Sequence, residues 1–282
     1  MQNQNIDLTI VLATLNEIEN LPIICSRIDS ILSKQRIKYQ LLFVDDNSKD
    51  GTREFIINYC SKHPLSKYIF NECRQSPLIA RYQGIKCANG RYIITMDADL
   101  QHPPSYLMNI YNALLKNYDI VIASRYCKNG SPGNRKIVRG IISRTATFMA
   151  QFLLRSSRNI KDPLSGFFGF KNGLKLEIRD DWRGYEIGIF LRASNNNLKI
   201  KEIPYKFAER EMGKSKVTSN PDFVKIYMVE LLRARKVEII SYRQFTGSNS
   251  RMFTLANIEK ARKELQFEPE YDIRAGVKRM LQ

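Results

Sequence analysis

Five short apolar runs alternate with stretches of helical character over the first 124 residues, and this alternation restricts the fold more than any other feature. The runs are Leu8–Leu12, Gln40–Val44, Tyr68–Phe70, Tyr92–Met96 and Ile120–Ser124. They are short, β-branched or aromatic, and bounded by polar turns, which predicts strands. Between them, residues 18–33, 52–61, 78–88 and 106–115 predict helices. Strands separated by helices form βαβ units, so the expected fold is α/β, with a mostly parallel central sheet flanked by helices.

Sheets of this kind bind ligands beyond the carboxyl ends of their strands. Four strand ends here carry polar chemistry: Asn16 and Glu17, Asp45 and Asp46, Asp97 and Asp99, Ser124 and Arg125. Lined along one sheet edge, they predict a single site. Neither a G-x-G-x-x-G fingerprint after the first strand nor a Walker P-loop is present. Phosphates would therefore be held by a metal ion and side-chain cations rather than by a glycine-rich loop.

The segment Met96-Asp97-Ala98-Asp99-Leu100-Gln101-His102-Pro103-Pro104 is the sharpest of these ends. Alternate residues of an extended chain point the same way, so Asp97, Asp99 and Gln101 are expected to converge. All three offer hard oxygen ligands suited to Mg²⁺ or Mn²⁺. A bare D-x-D reads more readily as a solvated acidic turn; the strand before it and the glutamine after it shift the balance to an ion holding a diphosphate.

A net charge of +17 calls for anionic partners: nucleic acid, a phosphorylated substrate or an acidic lipid surface. Charge alone does not choose among them. A nucleic-acid role leaves the strand-end carboxylates unexplained, and no nucleic-acid-binding motif accompanies the charge. The five cysteines are scattered without a C-x-x-C pair, which argues against a disulfide framework or zinc site and suits a reducing cytosol. The polar stretch Met1–Asp7 and the short run after it predict no secretory signal. The longest uncharged apolar stretch lies between Arg144 and Arg155, roughly half of the ~20 residues a bilayer-spanning helix needs.

After the loop at Ser131–Asn134 the character changes. Residues 137–154 predict an amphipathic helix with Arg139, Arg144 and Arg155 among Ile137, Ile141, Phe148 and Phe152. It reads either as a helix packed on the sheet with its arginines outward or as one lying on a membrane surface. Asp162-Pro163-Leu164-Ser165-Gly166 is a small-residue turn entering an aromatic strand, with the phenylalanines in the core and Asp162 and Ser165 near the site. An alternating strand at 199–205 leads to Arg210-Glu211-Met212-Gly213-Lys214-Ser215-Lys216, where the glycine lets cations face one anion. A second amphipathic helix is expected at 223–236. The expected organisation is a catalytic domain at 1–240, a polar linker at 241–250 and an appendage at 251–282. Through Phe253-Thr254-Leu255-Ala256-Asn257-Ile258-Glu259-Lys260-Ala261, Leu265-Gln266-Phe267-Glu268-Pro269 and Gly276-Val277, that tail resembles the extreme C-terminus of extended short-chain dehydrogenase-type sugar epimerases. The Rossmann part of such an enzyme is missing, so the tail reads as a two-helix appendage.

Taken in order, A-T-L-N-E, V-D-D-N-S-K-D-G-T, M-D-A-D-L-Q-H-P-P, S-R-Y, D-P-L-S-G-F-F and R-E-M-G-K-S-K resemble the family 2, GT-A-fold glycosyltransferases. More narrowly they resemble the dolichyl- or polyprenyl-phosphate mannose synthases, over about residues 6–240. The resemblance implies an inverting transfer of a hexose, foremost mannose from GDP-mannose, to dolichyl or polyprenyl phosphate. The alternative is a glucosyl or other hexosyl transferase of the same fold, with a UDP-sugar donor and a lipid-phosphate or saccharide acceptor. It also implies roles: Ala13, Leu15, Glu17, Val44, Asp46, Arg81, Asp97 and Lys216 on the nucleotide sugar, and Asp97, Asp99 and Gln101 on Mg²⁺ or Mn²⁺. Arg125, Arg139, Ser143 and Arg210 would hold the acceptor phosphate, with Asp99, Arg125, Arg139 and Arg210 carrying the catalysis. The implied location is the cytoplasmic face of a membrane, reached through the protein's own surface or a membrane-embedded partner subunit. Two departures stand out: Ala13 and Leu15 replace the usual Pro and Tyr, and the terminal transmembrane helices of many members are not seen.

Overall fold

Seven strands make one mixed sheet in the computed structural model, which describes residues 5–75, 77–133, 160–174, 198–209, 239–243 and 252–256. They are β1 (Leu8–Thr14), β2 (Tyr39–Asp45), β3 (Lys67–Phe70), β4 (Tyr92–Asp97), β5 (Ile120–Ser124), β6 (Phe168–Lys171) and β7 (Ile200–Pro204). The helices between them are α1 (Leu21–Leu32), α2 (Thr52–Lys62), α3 (Pro77–Cys87) and α4 (Leu107–Leu115). Every strand expected in the first 124 residues is present, with β1, β2 and β4 each running on to carry a polar residue, Thr14, Asp45 and Asp97, at its end.

Spatial order is β3-β2-β1-β4-β6-β5-β7. All neighbours are parallel except β6, which runs antiparallel to both β4 and β5. The chain steps outward from β1 through β2 to β3, then crosses back to lay β4 on the other side of β1. The carboxyl ends of β1 and β4 therefore flank a topological switch point, where an open α/β sheet leaves a crevice. Register puts Ala13 beside Val44 on one side and beside Asp97 on the other.

Strand alternation splits the core between the two faces. Leu8, Ile10, Leu12, Leu41, Phe43, Ile94 and Met96 pack with the apolar stripes of α1 and α4. In α1 that stripe is Leu21, Ile24, Cys25, Ile28 and Leu32, at helical spacing, with a proline in the first turn where its missing N–H costs nothing. Val11, Val44, Ile93, Ile120, Ile122, Phe168 and Phe170 face the other way, against Ala80 of α3. Helix α3 lies very close to the sheet because residue 84 is glycine: a Cβ there would meet Val11 Cγ1 at 2.3 Å and Val44 Cγ2 at 3.0 Å. That approach sets the height at which Arg81, one turn earlier, reaches the end of β4.

The chain divides into two compact units, Met1–Ser219 and Asn220–Gln282. In the second, β8 (Ile239–Arg243) pairs antiparallel with β9 (Met252–Ala256). Residues 241–243, read as the start of a linker, thus belong to a strand. So do residues 252–256, read as part of a helical appendage: the run Met252-Phe253-Thr254-Leu255 is apolar and β-branched enough to pair. The helices expected at 137–154 and 223–236 lie outside the described residues. Among the described residues, no helix is long and apolar enough to cross a membrane, and all five cysteines are free.

Candidate active site

The loops after β1 and β2 are stitched together through side chains. Asn16 takes a left-handed backbone (φ 50°). Its N–H donates to Ser48 Oγ at 2.7 Å, while its Oδ1 accepts the Lys49 N–H at 2.8 Å. Glu17 N–H donates to Thr52 Oγ1 at 2.9 Å. Asp50 accepts the Ile18 N–H and both the N–H and the hydroxyl of Thr52. Burial alone would raise the Asp50 pKa, but these donors outweigh it and hold the carboxyl below its usual range. The Glu17 side chain is buried and accepts Asn20 Nδ2 at 2.6 Å, closing the turn into α1.

Asp45 and Asp46 stand side by side in sequence and do different work. Asp45 is fully buried and saturated: it accepts Thr14 Oγ1, the N–H and hydroxyl of Ser48, and Arg53 Nε at 2.7 Å. It ties β1, β2 and α2 together. Asp46 accepts the Gln75 N–H at 2.7 Å and Asn71 Nδ2 at 3.4 Å through Oδ1. Its Oδ2 is buried and has no hydrogen-bond partner among the described residues. A buried acceptor left unsatisfied costs about 1–3 kcal/mol, so this oxygen calls for a donor that the described residues do not supply.

At the β4 end, the chain does not remain extended as the alternation argument expected. The strand stops at Asp97, and Leu100, buried, adopts φ 63°. Strand alternation therefore ends at Asp97 and does not carry on through Asp99 and Gln101. The Asp97 side chain is 39% exposed and accepts Arg81 Nη2 at 2.7 Å. Gly166 makes room for that guanidinium, since a Cβ there would lie 2.8 Å from Arg81 Nη2. Asp99 Oδ1 accepts the Gln101 N–H at 3.1 Å. Gln101 pairs with the strand-exit segment after β7: the Ala208 N–H donates to Gln101 O at 3.1 Å. The stretch that leads to Arg210 thus starts beside the carboxylates.

At the β5 end, Arg125 is a buried cation engaged by Asp162. Its Nε and backbone N–H donate to Oδ2 at 2.8 Å, and its Nη2 donates to Oδ1 at 2.6 Å. The guanidinium lies over the rings of Tyr126 and Phe207. Burial disfavours its charge, but the hydrogen bonds and charge of Asp162 more than offset that and raise its pKa. Asp162 is in turn fixed from β7, because Glu202 accepts the N–H groups of Lys161 and Asp162 at 2.9 Å each. Ser165 Oγ donates to Ala123 O at 2.6 Å, which anchors the same turn to β5.

Of the residues singled out from sequence, Ala13, Leu15, Glu17, Val44, Asp46, Arg81, Asp97, Asp99, Gln101 and Arg125 fall in the described residues, each at or next to a strand end except Arg81, which reaches Asp97 from α3. Arg139, Ser143, Arg210 and Lys216 lie outside them. Asp45, named from sequence as a strand-end carboxylate, forms a latch with Thr14, Ser48 and Arg53 that sequence reading did not anticipate, although S-K-D-G-T after V-D-D carried the signal of an Asx-rich turn.

Asp97 and Asp99 suit a divalent ion by their chemistry. Among the described residues no group of three or more His, Cys, Asp or Glu side chains is placed to hold a metal. Asp97, with an exposed side chain, and Asp99, which is buried, would hold such an ion together with a diphosphate and waters. The donor set fits an ion shared with a substrate, not a closed all-protein cage.

The mixed α/β sheet with this strand order is a GT-A-like fold. The chain belongs to glycosyl transferase family 2, whose profile it matches over residues 9–178. It is 34% identical over 230 residues to the dolichol-phosphate mannosyltransferase of Pyrococcus furiosus, covering 82% of this chain and 64% of that one. It is 30% identical over 220 residues to the polyprenol monophosphomannose synthase of Mycolicibacterium smegmatis, covering 75% and 81%. Against the dolichol-phosphate mannosyltransferase of Saccharomyces cerevisiae the identity is 29% over 224 residues, covering 76% and 82%. The chain thus spans a little under two thirds of the archaeal relative. In structure it resembles glucosyl-3-phosphoglycerate synthase of Mycobacterium tuberculosis in complex with Mn²⁺, UDP-glucose and phosphoglyceric acid, with a TM-score of 0.62 at 16% identity over 88% of this chain and 86% of that one.

Proposed function

We propose that the chain transfers a mannosyl group from GDP-mannose to the phosphate of a polyprenyl or dolichyl lipid, inverting the anomeric carbon. The observation that carries this reading is the edge formed by Ala13, Val44, Asp97 and Asp99, with the orphan oxygen of Asp46 beside it, in a chain whose relatives are named for that transfer.

The chemistry suits the residues. A phosphate monoester has a second pKa of about 6, so the nucleophile is already ionised near neutral pH. No strong general base is required, unlike transfer to a sugar hydroxyl. A bound Mg²⁺ or Mn²⁺ would neutralise charge on the departing diphosphate; the related synthase structures hold Mn²⁺ or Mg²⁺ together with UDP. Asp97 and Asp99 would hold the ion, and Gln101 would close its shell. Asp46 Oδ2 would accept from a base or ribose donor. Arg81 aims Asp97 from behind. Arg125 shapes the acceptor side and, with two nitrogens given to Asp162, would meet phosphate only through its remaining nitrogen. Arg139, Ser143, Arg210 and Lys216 would supply the other phosphate contacts.

A lipid acceptor requires access to a membrane. We assign that contact to residues 137–154 on the cytoplasmic face, with a membrane-embedded partner subunit as the other route. The test is transfer of radiolabelled sugar into an organic-extractable product, with GDP-mannose and UDP-glucose as parallel donors and polyprenyl phosphate as acceptor. Label moving from GDP-mannose into the organic phase is expected. Transfer only to water-soluble acceptors, or only from UDP-glucose, would overturn the assignment. Co-sedimentation with anionic vesicles at low salt, lost when Phe148 and Phe152 become serine, is the expected result if residues 137–154 make the contact.

A further inference from the structure

His102 lies five residues beyond Asp97, and its ring returns beneath the end of β4. The Asp97 N–H donates to His102 Nδ1 at 3.0 Å. The position of that N–H explains why a ring is needed there. The Tyr92 N–H bonds to Asp7 O on the β1 side, so alternation turns the N–H groups of Ile93, Thr95 and Asp97 toward β6. But β6 begins at Phe168, opposite Thr95. Further back along that segment, Gly166 O already accepts the Thr95 hydroxyl at 2.9 Å. Asp97 is thus one ladder step past the last strand partner, and His102 Nδ1 supplies the missing acceptor.

An Nδ1 that accepts a hydrogen bond carries no proton, so the hydrogen-bond network assigns the neutral ring with its proton on Nε2. The 3.6 Å approach of Nδ1 to Asp97 Oδ2 is therefore not an ion pair. The ring is also immobilised. It is buried, stacks on Phe167 at 5.1 Å, and meets Tyr205 and Phe207 edge-on at 5.9 and 5.8 Å. Those rings come from the turns before β6 and after β7, so the imidazole is held by segments distant in sequence from the carboxylates.

We infer that His102 is a positioning residue that fixes the Asp97 backbone, and through the left-handed Leu100 turn the spacing between the Asp97 and Asp99 carboxylates, for a divalent ion. The inference rests on the reading above that those carboxylates hold the ion. Asparagine places Oδ1 where histidine has Nδ1 and accepts the same N–H. Glutamine carries its acceptor one methylene further out, and leucine carries none.

The experiment is Mn²⁺ affinity, read by electron paramagnetic resonance in the presence of GDP, together with thermal unfolding of each variant. His102→Leu and His102→Gln should weaken Mn²⁺ binding by about tenfold or more, the usual effect of removing a group that orients a metal ligand. His102→Asn should bind Mn²⁺ nearly as wild type, although it loses the same aromatic contacts and should melt as early as the leucine variant. Restored affinity without restored stability is the signature of positioning. Should His102→Leu fail to fold, the Asn and Gln pair decides alone. Equal affinities for the Asn and Gln variants, with Asp99→Asn clearly defective, would overturn the role of His102 and leave the metal reading intact. Wild-type affinity in Asp99→Asn would overturn the metal reading and His102 with it.

Discussion

Arg125 and Asp162 form a buried fork, with Nε and Nη2 of the arginine donating to the two carboxylate oxygens at 2.8 and 2.6 Å. The pair joins the end of β5 to the turn before β6, while Glu202 holds the same turn from β7. Removing Asp162 would leave a cation buried without a counter-charge, a loss of roughly 3–5 kcal/mol. Asp162→Ala is therefore expected to lower the urea midpoint substantially. Arg125→Met, which removes the charge and keeps the bulk, should cost less in the Asp162→Ala background than alone. Additive losses in that double-mutant cycle would mean the two residues act independently.

Metal dependence should rest on both Asp97 and Asp99. Both alanine variants should lose transfer by about a hundredfold or more, since several kcal/mol of charge stabilisation are at stake and each 1.36 kcal/mol is tenfold. Asp97→Ala also strips the buried Arg81 of its carboxylate at 2.7 Å, so it should lower the melting temperature as well. Asp99→Ala removes the oxygen that accepts the Gln101 N–H at 3.1 Å, and its melting temperature should be read beside that of Asp97→Ala. Full activity of Asp99→Ala in EDTA would remove the ion from the mechanism.

The parts that were legible in sequence are those where local pattern and fold agree. The strands β1, β2, β4 and β5, and the polar residues at their ends, follow from apolar runs cut off by Asn, Asp and Ser. The direction of β6 was not legible, because Phe167, Phe168 and Phe170 are all buried and an aromatic run carries no sign of orientation. Asp45 and Asp46 looked alike because what separates them, Thr14, Ser48 and Arg53 around one and the empty Oδ2 of the other, is set by folding. The turn at Leu100 was missed for a similar reason: leucine does not advertise a positive φ, and burial holds it there.

Acid should destabilise the fold through Asp50 and Asp119. Asp119 accepts the Lys199 N–H at 2.9 Å and Lys171 Nζ at 3.0 Å. Burial pushes its pKa up, but these donors and the lysine charges outweigh burial and set it below the usual value, as the donors to Asp50 do there. A carboxyl with a lowered folded pKa contributes stability that is fully present above the unfolded value of about 3.9. That contribution is lost as pH falls through the folded value, because the unfolded chain takes up the proton more readily. The urea midpoint should thus fall between about pH 5 and pH 2, and the double variant Asp50→Asn, Asp119→Asn should show a shallower fall. Parallel curves for variant and wild type would place the acid sensitivity elsewhere.

Asp46 gives the most direct test of nucleotide recognition. Its Oδ2 is buried without a donor among the described residues, while Oδ1 already serves Gln75 and Asn71. Asp46→Asn keeps the shape, removes the buried charge, and can turn either an oxygen or an NH₂ toward the site. The Gln75 N–H at 2.7 Å will hold the amide oxygen at the Oδ1 position, so the NH₂ must face the place where a nucleotide donor would sit. A donor facing a donor costs about 1–3 kcal/mol. Affinity for GDP, read by calorimetry, should fall by roughly tenfold to a hundredfold on that scale. Stability should stay level or rise, since the variant no longer buries an unpaired charged oxygen. A variant that loses stability but binds GDP as before would make Asp46 a structural carboxylate like its neighbour Asp45.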